Sequence, residues 1–354
     1  MSRETLVSVV IPTFNRAAFL PAAIGSVLGQ TLRDVEIIVV DDGSTDATRS
    51  TVEAFGDAVR YMHTGHKGAA HARNTGMKAA GGKYIAFLDS DDVYHPGKLE
   101  IQVAFMEAHR EIGMVFTEFS ASVGGRITEE YHLRTFHGVY TRRGWKYGDI
   151  FRVRGEMRCD ALREPVPYYK GHLFKYVLLD PLIPSPTILF PRVILEKTGY
   201  QNEAYSLAEE FEFIVRICKQ YEVAFLDVPT YTYCYHHDQV SKVNQHAAKE
   251  KRMTEVEIQK VLLQAVLDAG YADREFYEGN KDWLAPRLAE LYYCLGEKWL
   301  NCGNAGHARE CFQKGLGFDP EWWKNVHLWY SSFLPAGMRS ALRYIVRRAR
   351  RWTS

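Results

Sequence analysis

Between residues 6 and 88, short apolar runs alternate with amphipathic helical stripes, and no other feature of the chain restricts its fold as strongly. The apolar runs cover residues 6–11, 36–40, 59–62 and 84–88, and the helical segments between them cover 19–28, 47–55 and 69–80. Mostly apolar runs that alternate with helices predict a mostly parallel sheet covered by helices on both faces. In the first helix Phe19, Leu20, Ala23, Ile24, Val27 and Leu28 fall on one stripe, with Pro21 tolerated in the first turn. Gly81-Gly82 ends the third helix. A further strand is expected at 114–116.

From 118 to about 186 the periodicity fades, and Tyr131, Tyr140, Trp145, Tyr147, Tyr168, Tyr169 and Tyr176 stand among loops. Such a stretch suits a second substrate pocket, or else an irregular cover with no direct role. Strands are expected again at 187–190, 223–226 and 231–235, with a helix over 207–220, and beyond His237 the chain is helical. Tyr292, Leu295, Gly296, Trp299, Ala308, Phe312 and Pro320 fit the spacing of one tetratricopeptide repeat, with Gly315 where alanine is usual. A single repeat cannot build a solenoid, so it predicts a helical hairpin that packs on the rest of the protein or joins two copies as a homodimer.

With 354 residues, 46% of them hydrophobic, the chain can bury the core of two or three domains. Its first apolar run stops at Pro12, too short for a signal segment or a membrane span, so a cytoplasmic protein is expected. Six cysteines without a CxxC pair read as reduced thiols. Residues 337–354 hold six arginines and no acid, which leaves the remainder net acidic. On a helical wheel Met338, Ala341, Leu342, Ile345, Ala349 and Trp352 share a face opposite most of these arginines. That pattern predicts an interfacial helix over 338–352 on an anionic membrane surface; a basic helix docked on the acidic remainder and a disordered tail are the alternatives.

The chemistry concentrates where the strands end. Asp89-Ser90-Asp91-Asp92 follows the strand at 84–88, at the edge where open α/β sheets bind ligands. Carboxylates there suit Mg²⁺ or Mn²⁺, which one or two acids and substrate phosphates typically hold; alternatively Asp91 and Asp92 cap the segment that begins at Pro96. The first strand exits into Pro12-Thr13-Phe14-Asn15-Arg16 and the second into Asp41-Asp42-Gly43-Ser44, on the same edge. Asp41 can accept hydrogen bonds from a ribose or base, whereas Ser44 or Asp46 is better explained as a helix cap. Arg73 is placed to meet phosphate or base, or to be a solvated helix residue. No GxGxxG and no GxxxxGK[ST] follows the first strand, which disfavours dinucleotide redox and P-loop chemistry.

The helix over 207–220 brings a second carboxylate. On its wheel Glu210 aligns with Phe213, Ile214 and Ile217, while Glu209, Glu212, Arg216, Lys219 and Gln220 take the other side. A carboxylate on an apolar stripe is destabilising unless paired or used, and desolvation raises its pKa toward the range of a general base. Glu212 and Arg216 have the spacing of a surface ion pair.

Taken together, residues 7–16, 39–44, 72–76, 87–92 and 208–210 resemble the inverting glycosyltransferases of family 2, which have the GT-A fold, over roughly residues 5–245. The resemblance implies that Pro12, Thr13, Asn15, Arg16, Asp41, Arg73, Asp89 and Ser90 surround the nucleotide, and that Asp91 holds Mn²⁺ or Mg²⁺. His236 fits the family's histidine five residues before a serine, where it would touch the metal or the diphosphate, a structural strand-end histidine being the alternative, and Glu210 aligns with the catalytic base. Here the chain departs from the family: Glu209-Glu210 stands where Glu-Asp is usual.

The fold and organisation so implied are a Rossmann-like GT-A domain, with a nucleotide-sugar half at 1–117 and an acceptor and base half at 118–245. A helical region at 246–336 and the basic tail at 337–354 follow. The implied activity is metal-dependent transfer of a hexosyl or N-acetylhexosaminyl group from a nucleoside-diphosphate sugar, UDP-linked above all, to a saccharide or lipid-linked saccharide. The alternatives are a nucleotide-sugar-binding protein of weak catalysis and a membrane or partner adaptor. A location at the inner face of the cytoplasmic membrane fits the tail, and no nucleic-acid partner is expected.

Overall fold

The computed structural model describes residues 5–136, 144–205, 207–236 and 248–320, which divide into two compact units, 1–239 and 240–354. The basic tail and the residues after His236 that complete the histidine–serine motif lie outside the described residues.

The first unit is built on one sheet. Its strands are β1 (Val7–Thr13), β2 (Val35–Asp41), β3 (Arg60–His63), β4 (Tyr84–Phe87), β5 (Val93–Tyr94), β6 (Met114–Val123), β7 (Arg126–Glu129), β8 (Val153–Met157), β9 (Val166–Gly171), β10 (Leu189–Pro191) and β11 (Val223–Tyr235). The order is β3-β2-β1-β4-β10-β6-β11-β9-β8, with β5 against β11 and β7 against β6. The strands β1 to β4 are parallel, as their alternation with helices predicts; β10 runs antiparallel between β4 and β6, and β6 is parallel to β11. Because β1 has β2 on one side and β4 on the other, the chain order reverses there, and a crevice opens beyond the carboxyl ends of these strands.

Helices α1 (Leu20–Leu28), α2 (Thr48–Glu53) and α3 (Ala69–Ala79) follow within two residues of the expected ends, and α4 (Lys98–Ala108) adds a helix for which the sequence set no bounds. The α1 stripe is buried through Leu20, Ala23, Ile24 and Val27. Helix α3 sits so close to β1 that a Cβ on Gly76 would lie 2.3 Å from Val10 Cγ1, which explains the glycine of Ala72-Arg73-Asn74-Thr75-Gly76. The strands of the first 117 residues and those after them share this one sheet.

Two expectations change. The segments 223–226 and 231–235 are one strand, β11, whose register against β6 shifts on either side of Pro229, a residue with no N–H to give to the ladder. The stretch 118–186 is more ordered than its sequence suggests. It extends β6, adds β7 to β9, and places Tyr147, Phe151 and Tyr169 in one ring cluster with Phe225 of β11. Tyr168 packs on Phe105 and His109. These rings cover the sheet; Tyr140 lies outside the described residues.

In the second unit, helices Ala248–Val266, Lys281–Asn301 and Ala305–Phe318 include the expected hairpin. A Cβ on Gly296 would stand 2.4 Å from the Phe312 ring, and Trp299 stacks on His307 at 4.8 Å. Leu300, Ala308 and Phe312 form its apolar centre. The Asn304 side chain accepts from the His307 N–H and starts the second helix of the pair.

Candidate active site

The strand exits meet as their register requires. Thr13 pairs with Asp41 at the ends of β1 and β2, and β4 lies on the other side of β1. Hydrogen bonds bind the first two exits into one rim. The Asn15 N–H donates to Ser44 Oγ (2.8 Å), the Thr45 N–H donates to Asn15 Oδ1 (2.8 Å), and the Arg16 N–H donates to Thr48 Oγ1 (3.1 Å). Asn15 takes a left-handed backbone (φ 50), which asparagine tolerates better than most residues. Asp46 Oδ1 accepts from the Thr48 N–H, so Asp46 rather than Ser44 serves the start of α2.

Asp41 is buried, accepting from the Ser44 N–H (2.8 Å) and the Tyr61 hydroxyl (2.7 Å). Asp42, which the sequence did not single out, organises the approach to α3: it accepts from the N–H groups of Lys67 and Gly68, both at 2.8 Å, and from Thr64 Oγ1 at 2.9 Å. Gly43 allows this turn, since its φ is +87 and a Cβ there would meet His66 N at 3.0 Å. Thr13 Oγ1, on the last residue of β1, is buried with no hydrogen-bond partner in the structure.

Within the acidic cluster the carboxylates divide. Asp91 Oδ2 lies 3.0 Å from His236 Nε2 and 3.7 Å from Arg16 Nε, so residues from two distant segments converge on it. The His236 ring also packs on Phe19 at 4.3 Å. Asp92 is buried and accepts the Cys234 N–H at 2.8 Å, tying the cluster to β11; burial, then the charges of Asp89 and Asp91, push its carboxyl well up. Helix α4 starts at Lys98 without a side-chain cap, so neither Asp91 nor Asp92 caps it. Ser90, between Asp89 and Asp91 in the chain, is buried.

The guanidinium of Arg73 connects this cluster to the helix Glu209–Gln220. Its Nη2 donates to Asp89 Oδ1 (3.0 Å) and its Nη1 to Glu209 Oε1 (2.6 Å). Although burial opposes its charge, Asp89, Glu209 and Glu210 hold it protonated, above its ordinary value. Burial likewise raises the Asp89 carboxyl, with Arg73 opposing. The wheel placed Glu209 on the outer side, and this is corrected: Glu209 is buried and Glu210 half-buried. A wheel ranks faces within a helix, but Glu209 is the first helical residue, where Arg73 reaches it from α3. Burial, then the adjacent Glu209 charge, pushes the Glu210 carboxyl up to about 7, with Arg73 pulling the other way. Glu212 pairs with Arg216 at 2.5 Å, as its spacing predicts.

Two further α3 side chains hold the approach to that helix. Asn74 Nδ2 donates to Gln201 O (2.9 Å) and Glu203 Oε1 (2.8 Å), its Oδ1 accepts from the Gln201 N–H (2.9 Å), and His71 Nδ1 lies 2.8 Å from Glu203 Oε2. Sequence reasoning did not assign them a role, and adjacency to Arg73 was their only signal. Among the described residues no three His, Cys, Asp or Glu side chains gather as a metal cage.

A Rossmann-like sheet with acids at its carboxyl edge, continued by an antiparallel strand and a second carboxylate helix, defines the class as a GT-A glycosyltransferase fold. Residues 8–163 match the model of Glycosyl transferase family 2. An uncharacterized glycosyltransferase of Rickettsia felis is 42% identical over 137 residues, 38% of this chain and 23% of the relative. The Escherichia coli UDP-Glc:alpha-D-GlcNAc-diphosphoundecaprenol beta-1,3-glucosyltransferase WfgD is 47% identical over 105 residues, 29% of this chain and 42% of that protein. The chain thus spans less than half the length of these curated relatives. Among solved structures, S. aureus TarS 1-349 in complex with UDP-GlcNAc shares the fold with a TM-score of 0.58 at 17% identity, covering 92% of this chain and 90% of that one.

Proposed function

We propose that the chain is an inverting glycosyltransferase that moves a sugar from a UDP-linked donor to a saccharide on a lipid-diphosphate carrier. The observation that carries this reading is the Arg73 fork, which brings the Glu209-Glu210 pair to the carboxylates of the donor edge from far along the chain. The donor nucleotide would lie along Pro12, Thr13, Asn15, Arg16, Asp41 and Ser90, with the unpartnered Thr13 Oγ1 as one polar contact. The donor and acceptor classes are supported by the relative that uses UDP-Glc and a diphosphoundecaprenol-linked GlcNAc.

A divalent ion fits the donor set. Asp91 offers one hard oxygen ligand with His236 beside it, and Mg²⁺ or Mn²⁺ commonly takes its remaining ligands from phosphates and water. When bound, it would neutralise charge on the departing diphosphate. Glu210 acts on the opposite partner. Its carboxylate takes the proton of the acceptor hydroxyl as that oxygen bonds to the anomeric carbon, and the carbon–oxygen bond to the diphosphate breaks with its electron pair leaving on the diphosphate. Attack from the face opposite the leaving group inverts the anomeric centre.

The test is transfer from UDP-Glc and UDP-GlcNAc to a GlcNAc-diphospholipid, with the product's anomeric configuration read by NMR. An inverted product, lost on EDTA treatment and restored by Mn²⁺, is expected; a retained configuration contradicts the mechanism.

Among the described residues no helix is long and apolar enough to cross a membrane. Contact with an anionic membrane through residues 338–352, on the cytoplasmic side, would bring the enzyme to a lipid-linked acceptor. Vesicle flotation of the full chain against one ending at Leu334 decides this, equal flotation refuting it. A homodimer through the helical region is the matching proposal for the second unit, read by its mass in solution.

A further inference from the structure

We propose that Arg73 is a positioning residue rather than a nucleotide contact, and that its fork between Asp89 and Glu209 sets where Glu210 stands relative to the donor. The proposal rests on the reading of Glu210 as the base and deepens it.

Three observations carry it. First, the guanidinium is committed. Nη1 and Nη2 are engaged by Glu209 (2.6 Å) and Asp89 (3.0 Å), the remaining Nε is buried without a partner, and the side chain is only 8% exposed. A ligand arriving from the crevice would meet Asp89, which is 33% exposed, before it met Arg73. Second, the helix Glu209–Gln220 does not fix its own start. It has no side-chain cap, and its N-cap Ala208 is in the left-handed region (φ 54), a conformation disfavoured for a residue with a Cβ and no polar group to compensate. Third, the missing anchors come from α3. Asn74 and His71 hold Gln201 and Glu203, while Arg73 holds Glu209, so one helix grips the 201–209 segment at both ends. An arginine suits this place because a planar fork can bind two carboxylates at fixed angles, which a lysine ammonium cannot.

Electrostatics agree with the geometry. The charged groups that act on Glu210 are Glu209 on its own helix, Arg73 from α3 and Asp89 from the β4 exit. Glu209 and Asp89 oppose ionisation of the base and Arg73 favours it, so the bridge controls both where Glu210 lies and when it is charged.

The experiment uses the full chain as wild type, Arg73→Lys and Glu209→Gln, with two readouts. One is UDP affinity by calorimetry with Mn²⁺ present. The other is the Glu210 titration midpoint by carbon-13 NMR of glutamate-labelled protein, assigned from the Glu210→Gln spectrum. The expected result is UDP affinity within about threefold of wild type in both variants. The Glu210 midpoint should move down by about half a pH unit or more in Glu209→Gln and up in Arg73→Lys, where the shorter cation no longer spans both acids. A loss of UDP affinity of about tenfold or more in Arg73→Lys with the midpoint unmoved overturns the proposal, because the guanidinium would then serve the nucleotide. Unmoved midpoints in both variants overturn it as well. Should wild type fail to bind UDP, the glycosyltransferase reading falls while the midpoints still decide the bridge.

Discussion

The donor edge and the stretch 118–186 are built from similar residue types, yet polar side chains do different work in the two. At the donor edge, Asp89 and Asp91 keep part of their carboxylates toward the crevice, and Thr13 Oγ1 has no partner. In the other region the most deeply buried carboxylate, Glu118, is saturated. It accepts from the N–H groups of Phe119 (3.2 Å) and Leu133 (3.0 Å) and from the Tyr147 hydroxyl (2.7 Å), with Arg134 at 3.3 Å. Burial raises the Glu118 carboxyl, and those bonds oppose the rise. Spare hydrogen-bonding capacity therefore separates a place that can take a ligand from one that holds a fold together, a distinction residue type alone does not make.

The largest effect expected from this contrast is at Asp91. Asp91→Ala should cut metal-dependent transfer by about 100-fold or more, the scale for losing one preorganised electrostatic partner, while thermal unfolding changes little. A comparable fall in Tm would mean that Asp91 is structural like Glu118. Next comes pH. The proposed mechanism needs an ionised base, and Glu210 is held up to about 7, so it predicts that kcat/KM falls about tenfold per pH unit below that value. A flat profile down to pH 5 would remove Glu210 from the reaction. The smallest effect is on the other side of the comparison. Tyr147→Phe should lower stability by about 1 kcal/mol through one lost hydrogen bond to a buried acid, with transfer within about twofold of wild type. A selective loss of transfer there would restore the idea of an acceptor pocket among these aromatic residues.

The same contrast governs what the sequence discloses. The four parallel strands, three of the helices and the gathering of acids at one sheet edge were legible because mostly apolar runs alternate with helical stripes and strand-end acids have no packing reason to be there. The hairpin was legible because Gly296 and Phe312 meet at a fixed spacing. What escaped depends on partners distant in sequence. The extension of β6, the strands β7 to β9 and the Phe225 ring cluster form only once β11 is in place, and no local period announces them. The Glu209 burial escaped for a related reason, since a wheel contains only its own helix and Arg73 arrives from α3. Asp42 and Asn74 stood beside residues chosen for their chemistry, and their role is to hold loops in place.

Glu210 is where the account is most exposed, because glutamate stands there in place of the family's usual aspartate. Its raised pKa also has a consequence for stability. A carboxyl whose folded pKa lies above its ordinary 4.5 favours folding while protonated, and that contribution is lost as pH rises through about 7. Glu210→Gln should thus be no less stable than wild type at pH 8, so lost activity cannot be blamed on unfolding. The most direct measurement is single-turnover transfer at pH 8 by Glu210→Gln beside wild type, each with saturating UDP-sugar and Mn²⁺. The account predicts a fall of about 100-fold or more with UDP affinity and Tm preserved; turnover at the wild-type rate would contradict it.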